Sequence, residues 1–169
     1  MSIYVTESGR QRLYAELSRK RKEYEEICEE RTTAYALSGD GWHDNPYFNR
    51  LQQMDASKTV EIAALQKLIA SALPVTIVEG QRPIDRVGIG SVVHLRLLYE
   101  ESGEESEHTW EITGYNENDL ARHRLAYNTP LAAAVMGLVP GECHECRLPR
   151  GPVSIEIMAL LPDRPQGLP

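Results

Sequence analysis

The stretch Ser38-Gly39-Asp40-Gly41-Trp42-His43-Asp44-Asn45-Pro46 separates two long runs of helix-forming residues, and its reading decides the fold. Ser38 and the two glycines favour leaving a helix. Asn45-Pro46 pairs a side chain that caps a helix with a ring whose fixed φ suits a first helical turn. Upstream, from about Thr6 to Leu37, the apolar residues Leu13, Leu17, Tyr24 and Ile27 recur at helical spacing, with Arg, Lys and Glu between them. Downstream, Leu51, Met54, Ile62, Leu65, Leu68 and Ile69 do the same before Ala72-Leu73-Pro74, with a polar patch at Ser57-Lys58-Thr59. So short a connection makes the helices antiparallel neighbours, and about 30 residues per arm is on the order of 45 Å of helix. Thr6 or Ser8 is expected to cap the first helix, but Gly9 offers no carboxylate where a capping box would need one.

Working outward, the composition changes near Leu73-Pro74. Residues 1–73 hold ten basic residues against eleven acidic ones and a single proline, Pro46, whereas the remainder holds eight basic residues against fourteen acidic ones and nine prolines. Helix formers dominate the first part and turn formers punctuate the second. Alternating or β-branched runs predict strands at Val75–Val78, Ser91–Tyr99, Glu107–Gly114, about Glu142–Leu148 and Val153–Leu160. Charged turns are expected at 100–105 and 149–152, and Thr129-Pro130 followed by Leu131 to Met136 and Gly137 predicts one short helix packed on the sheet, with Thr129 as its N-cap. The fold class is therefore α+β: a helical hairpin at 1–73 with its tip loop at 38–46, a sheet domain at 78–161, and a Pro-rich tail at 162–169 read as disordered.

The whole chain narrows the function classes. With 169 residues, 41% of them hydrophobic, it can bury a core, and no run approaches the roughly 18 apolar residues of a membrane span. The opening residues lack the pattern of a signal peptide, so a cytoplasmic location is expected. Cys28, Cys143 and Cys146 cannot build a disulfide framework. The net charge of -7 argues against autonomous binding to bare DNA or RNA, where Lys and Arg neutralise phosphate, so binding to free nucleic acid should be weak.

Three stretches resemble the Gre factors, the GreA/GreB family of bacterial transcript-cleavage elongation factors. Thr6-Glu7-Ser8-Gly9, with Leu13 and Glu16-Leu17, is similar to the start of that family's coiled-coil finger. The tip, Gly39 to Tyr47, resembles Gly-Asp-x-x-Glu-Asn-x-x-Tyr. The most specific stretch is Asn128-Thr129-Pro130-Leu131-Ala132-Ala133-Ala134-Val135-Met136, closing with Gly141-Glu142. The resemblance implies an antiparallel coiled coil followed by an FKBP-like domain of antiparallel sheet with one short helix. It also implies that the second domain docks on RNA polymerase at the rim of its secondary channel, through Thr129, Pro130 and Leu131. The coiled coil would then enter the channel and stimulate hydrolytic cleavage of backtracked RNA by helping to hold the second Mg²⁺ ion. On that reading the chain is not itself an enzyme, the metal is shared with polymerase only, and a monomer is expected.

Two-metal phosphodiester hydrolysis needs carboxylates that retain a weakly held ion, and hard oxygen ligands suit Mg²⁺. Asp40 corresponds to the first acid of the family tip, and Asp44 is the candidate for the second, which makes this pair the catalytic and metal-holding residues by resemblance. Trp42, His43, Asn45 and Tyr47 would shape the tip. The chain departs from the pattern in that its two acids lie four residues apart where the family has three, and His43 stands three residues after Asp40. Read without the family, Asp40 ends one helix and Asp44 favours the start of the next through the helix dipole. Arg50 resembles the basic patch that holds the RNA 3′ segment, one residue out of register, with an exposed helix arginine as the plain alternative. The basic run Arg19 to Lys22 reads as a solvated face paired with neighbouring glutamates.

Cys143-His144-Glu145-Cys146 has metal-like spacing but lacks a second ligand cluster, so its cysteines read as strand filler. Two other functions stay open at this point: a non-catalytic Gre-like channel regulator or inhibitor, and a helical-hairpin adaptor acting through its sides.

Overall fold

The computed structural model describes residues 3–165. Its contacts divide the chain into two units: Arg10–Ala72 with Ile3, and Tyr4–Gly9 with the chain from Leu73 onward. The architecture is α+β.

In the first unit, helix α1 (Glu7–Ser38) and helix α2 (Pro46–Ser71) are joined by a six-residue 3-10 turn, Gly39–Asp44. Among the residues withdrawn from solvent on α1, Leu13, Leu17, Lys20, Tyr24, Ile27, Arg31, Ala34 and Ser38 follow an alternation of three and four that marks a coiled-coil seam. On α2 the matching series is Phe48, Leu51, Asp55, Lys58, Ile62, Leu65 and Ile69. Met54, read as a seam residue, is instead 40% exposed, because Leu51 is followed four residues later by Asp55 at the seam. The middle of the hairpin is thus layered with charge. Arg31 pairs with Asp55, Lys58 reaches Glu23 at 2.9 Å, and Lys20 reaches Glu61 at 2.7 Å. Of the basic run, Lys20 therefore serves the seam while Arg19 pairs along its own helix with Glu23. Apolar packing concentrates toward the tip, where Ile27, Ala34, Phe48 and Leu51 form a buried cluster.

The second unit is built on a five-stranded sheet in the order β5-β4-β3-β7-β6. Strands β3 (Val92–Tyr99) and β4 (Glu104–Thr113) form an antiparallel hairpin over the charged turn, β6 (Cys143–Leu148) pairs antiparallel with β7 (Gly151–Leu161), and the short β5 (Arg124–Ala126) lies parallel to β4. Val93, Leu95, Leu97, Val153, Ile155 and Ile157 face the core, so the alternation in the sequence does report a one-sided sheet. A bulge in the β3–β7 pairing at His94/Leu95 shifts the alternation of β7 and puts Leu160 in the same core. Helix α3 (Pro130–Val135) closes the core with Ala132 and Val135.

Three expectations are corrected. Val75–Val78 is not a strand: after the two-stranded pairing of β1 (Ile3–Val5) with β2 (Ala72–Pro74), only the bond from Val75 N–H to Val5 O, 2.8 Å, continues the ladder. The Thr129 hydroxyl does not cap α3, because it donates back to Ala126 O at 2.8 Å. The start of the Pro-rich tail is tied down: Asp163 accepts from Gly80 N–H at 3.1 Å, and the Arg164 guanidinium donates to Arg122 O. The rest of that tail, residues 166–169, lies outside the described residues.

The entry to α1 shows how the sheet unit holds its N-terminal segment. The Thr6 hydroxyl accepts from Gly9 N–H at 3.1 Å and so caps the helix. The carboxylate that a capping box would draw from the third residue comes from Glu117, which accepts from Thr6 N–H at 2.8 Å and from the Thr6 hydroxyl at 2.5 Å. Glu117 is 4% exposed and fits between two glycines: a Cβ on Gly9 would stand 2.1 Å from its Oε1, and one on Gly114 would stand 2.0 Å from the same atom.

Candidate functional site: the hairpin tip and the groove beside α3

Gly39 leaves α1 at φ +54°, a conformation that costs a residue without Cβ little, and the chain then winds as a 3-10 helix to Asp44. Asn45 ends this turn and begins α2. Its side chain accepts from Tyr47 N–H at 2.9 Å and Phe48 N–H at 3.3 Å, and its amide donates to Ser38 Oγ at 2.6 Å, while Ser38 donates to Ala34 O at 2.7 Å. One side chain thus caps the second helix and fastens it to the end of the first.

Trp42 lies beneath the turn. It is half-buried, with ring centroids 5.2 Å from Phe48 and 5.7 Å from Tyr35, and it covers the buried apolar cluster of the hairpin. Its ring is therefore packed inside the hairpin and not held out to solvent. His43 is exposed and stacks on Trp42, with centroids 3.3 Å apart and planes tilted by 34°, and its carbonyl accepts from the Asn49 amide at 3.2 Å. Tyr47 is half-exposed and donates its hydroxyl to Glu30 at 2.7 Å. That bond holds its phenol above the usual value, against a smaller opposing influence from Arg50. Asp44 and Arg50 are exposed.

The 3-10 geometry bears directly on the expected acid pair. Residues three apart eclipse one another in such a helix, so position 40 lies in register with position 43, and position 44 is turned away by about a third of a turn. Among the described residues, no group of three or more His, Cys, Asp or Glu side chains is placed to hold a metal. Cys143 and Cys146 follow the same logic: three residues apart on β6, they fall on opposite faces of the strand, with Cys143 exposed and burial pushing the Cys146 thiol up.

In the sheet unit, Thr129, Pro130 and Leu131 edge a groove of about 340 Å³ whose other walls include Leu97, Tyr99, Leu125, Leu148, Pro149 and Arg150. Leu131 is half-buried against the core, Pro130 is exposed, and Val135 is wholly core. Arg150 reaches over the Tyr99 ring at 4.8 Å and pairs with Glu104, which gives the groove one charged lip. Phe48 and Tyr35 build the tip without having stood out in the sequence, and Ser38, read there only as the end of a helix, also receives the Asn45 amide. Phe48 was legible as the residue three before Leu51 at the seam spacing, whereas the roles of Tyr35 and Ser38 depend on how the two helices meet.

No helix among the described residues is long and apolar enough to cross a membrane. The family described as transcription elongation factor GreA/GreB, C-terminal, matches residues 81–162. The transcription elongation factor GreA of Acidiphilium cryptum is 30% identical over 158 residues, covering 92% of this chain and 95% of that protein. The GreA of Nitratiruptor sp. is 29% identical over 154 residues, covering 91% and 90%. The crystal structure of the GreA factor homolog 1 protein of Thermus thermophilus is 21% identical and covers 95% of this chain and 99% of that one, with a TM-score of 0.42, too loose a superposition to argue from. The helical hairpin with its Asn-capped tip, the sheet unit with one short helix, and this similarity over nearly the whole length together place the chain in the GreA/GreB family of transcription elongation factors.

Proposed function

We propose that the chain acts on RNA polymerase as a transcript-cleavage factor. Its sheet unit docks at the rim of the secondary channel through the groove edged by Thr129, Pro130 and Leu131, and its hairpin carries the tip to the active centre, where backtracked nascent RNA is hydrolysed. The observation that carries this reading is the construction of the tip. An exposed, charged 3-10 turn rests on a packed aromatic base and is fastened to both helices by Asn45. Groups held in a fixed position by packing and hydrogen bonds act on a reacting centre without reorganisation.

The residue roles follow from placement. Asp40 and Asp44 supply negative charge at the tip, and Trp42, Asn45 and Tyr47 hold its shape. Arg50, at the start of the second turn of α2, attracts the RNA 3′ phosphates inside the complex. The chemistry belongs to polymerase, so the chain is a stimulating cofactor protein and not an enzyme. Mg²⁺ supplies Lewis acidity in that complex, and no step is assigned to its being seated on Asp40 and Asp44 as a pair. The protein works in the cytoplasm as a monomer and binds free RNA weakly, consistent with its net charge of -7.

The test adds the purified protein to a backtracked elongation complex and follows RNA 3′ cleavage. Accelerated cleavage that disappears in the Asp40→Asn, Asp44→Asn double variant supports the proposal. A second reading, a non-catalytic regulator that occupies the same channel, is favoured by the register that separates positions 40 and 44. It predicts binding to polymerase with cleavage unchanged or slower. An adaptor acting through its sides would instead lose activity on substitution of outward residues far from the tip.

A further inference from the structure

We infer that a groove on the flank of the hairpin, below the tip, receives a lysine- or arginine-bearing segment of RNA polymerase. This rests on the polymerase-directed reading above and adds a contact apart from the tip turn and the sheet unit. Glu26, Glu30, Thr33 and Leu37 each stand one residue before a seam position of α1, so they form one stripe along its flank. In a coiled coil such flanking side chains ordinarily pair with the facing helix. Lower on this hairpin the acids do so: Glu23 meets Lys58, and Glu61 meets Lys20. On the stripe itself, Glu30 reaches α2 by accepting from the Tyr47 hydroxyl at 2.7 Å. Among the described residues, Glu26 and its neighbour Glu29 have no basic partner, and Leu37 is 84% exposed. With Tyr47, these side chains line a groove of about 440 Å³ that has the buried Ala34 among its walls.

The composition of the groove states the chemistry of its occupant. Glu25 with Glu29, and Glu26 with Glu30, are like charges four residues apart, an arrangement that disfavours a helix, so the acids do not serve α1 itself. Three carboxylates repel nucleic-acid phosphate. They suit a cation, and the apolar surface of Leu37, Ala34 and the Thr33 methyl suits the methylene stem that lysine and arginine carry behind their charge. The half-exposed Tyr47 ring offers the same groove a face on which a guanidinium or ammonium rests. A partner side chain seated here covers the exposed Leu37 and gives Glu26 and Glu29 the counter-charge they lack among the described residues.

The test is the affinity of the full chain for core RNA polymerase, read by fluorescence anisotropy of the N-terminally labelled protein at low and high salt. Glu26→Lys with Glu29→Lys should weaken binding by about tenfold or more, and Glu26→Gln with Glu29→Gln by about threefold with a shallower salt dependence. Leu37→Ser should weaken it by about threefold through lost apolar burial. Glu16→Lys with Glu25→Lys makes the same change of net charge at exposed positions outside the groove and should stay within about twofold of the parent. Charge reversal at Glu26 and Glu29 also removes the like-charge pairs, so helical circular dichroism should be kept. A reversed variant that binds within about twofold of the parent, or a control pair that loses as much as the groove pair, overturns the inference and leaves the polymerase reading standing. If the parent itself does not bind polymerase, that reading fails and this one with it. Self-association of the parent in sedimentation that disappears on reversal would assign the groove to the basic run Arg19 to Lys22 of a second copy, which also overturns the inference.

Discussion

Replacing Gly9 by alanine should destabilise this protein, against the usual effect of the substitution. In a helix, alanine is favoured over glycine by about 1 kcal/mol, somewhat less in a first turn. Here the added Cβ would stand 2.1 Å from Glu117 Oε1 and 2.5 Å from its Cδ, so the carboxylate has to move. Moving it weakens the bonds from Thr6 N–H at 2.8 Å and from the Thr6 hydroxyl at 2.5 Å, and does so for a group that is only 4% exposed. Hydrogen bonds to charged groups contribute about 1.5–3 kcal/mol each. With both weakened and not wholly lost, and the helix-propensity gain set against them, the net cost is about 2 kcal/mol. Urea unfolding of the full chain, followed by far-ultraviolet circular dichroism and by tryptophan emission, reads it directly. In a Glu117→Ala background the obstruction is gone, so Gly9→Ala should there become neutral or stabilising, a reversal of sign that a double-mutant cycle isolates. Gly114→Ala should cost at least as much, because its Cβ would also meet the Thr6 backbone nitrogen at 2.9 Å. A Gly9→Ala protein as stable as the parent, with Glu117 intact, would refute the reasoning.

The charged seam makes further predictions. Asp55→Ala leaves Arg31 without its partner in a side chain only 35% exposed and should cost about 1–2 kcal/mol, between the values for surface and buried pairs, whereas Arg31→Leu with Asp55→Leu should recover most of that in thermal unfolding. Hydrogen bonds from Lys58 to Glu23 and from Lys20 to Glu61 hold both carboxyls below the usual 4.5, and the Glu23 bond holds the Lys58 ammonium above 10.5. The carboxylate contribution is therefore present above pH 4.5 and lost as pH falls through the depressed values, while that of Lys58 persists until pH rises through its raised value. Helical signal should accordingly decline on acidification below pH 4.5, and less steeply in Lys58→Met. Asn45→Ala removes an N-cap and the tie to Ser38, about 1–2 kcal/mol together, and hydrogen exchange should quicken over 39–49 with little change in the sheet.

Much of the hairpin was legible because its signals are local. The Asn45-Pro46 cap depends on residues two and three positions away, and the apolar spacing on α1 depends only on helical period. Met54 was misplaced because charged residues occupy the seam at Asp55 and Lys58, where an apolar pattern alone looks elsewhere. The tip was readable as a break but not as a 3-10 helix, since the hydrogen bonds that wind Gly39 to Asp44 leave no mark in residue type beyond the flanking glycines. The strands of the central hairpin followed from alternation, yet β5 was missed at three residues, too short to show a period, and Leu160 needed the bulge to reach the core.

By itself the sequence determined what lies within one helical turn or one strand of each residue: the two helices, their capped junction, the one-sided sheet, and the family pattern of Thr6 to Gly9, the tip and Thr129 to Met136. Those properties depend on backbone preference and on period, which are written in neighbouring residues. Only the tertiary structure decided that Glu117 completes the cap of a helix 111 residues earlier, that Trp42 turns inward onto Phe48, and that Lys20, Arg31 and Lys58 find their acids across the seam. These contacts join residues far apart in the chain, and no local preference specifies a partner that arrives only when the two segments pack.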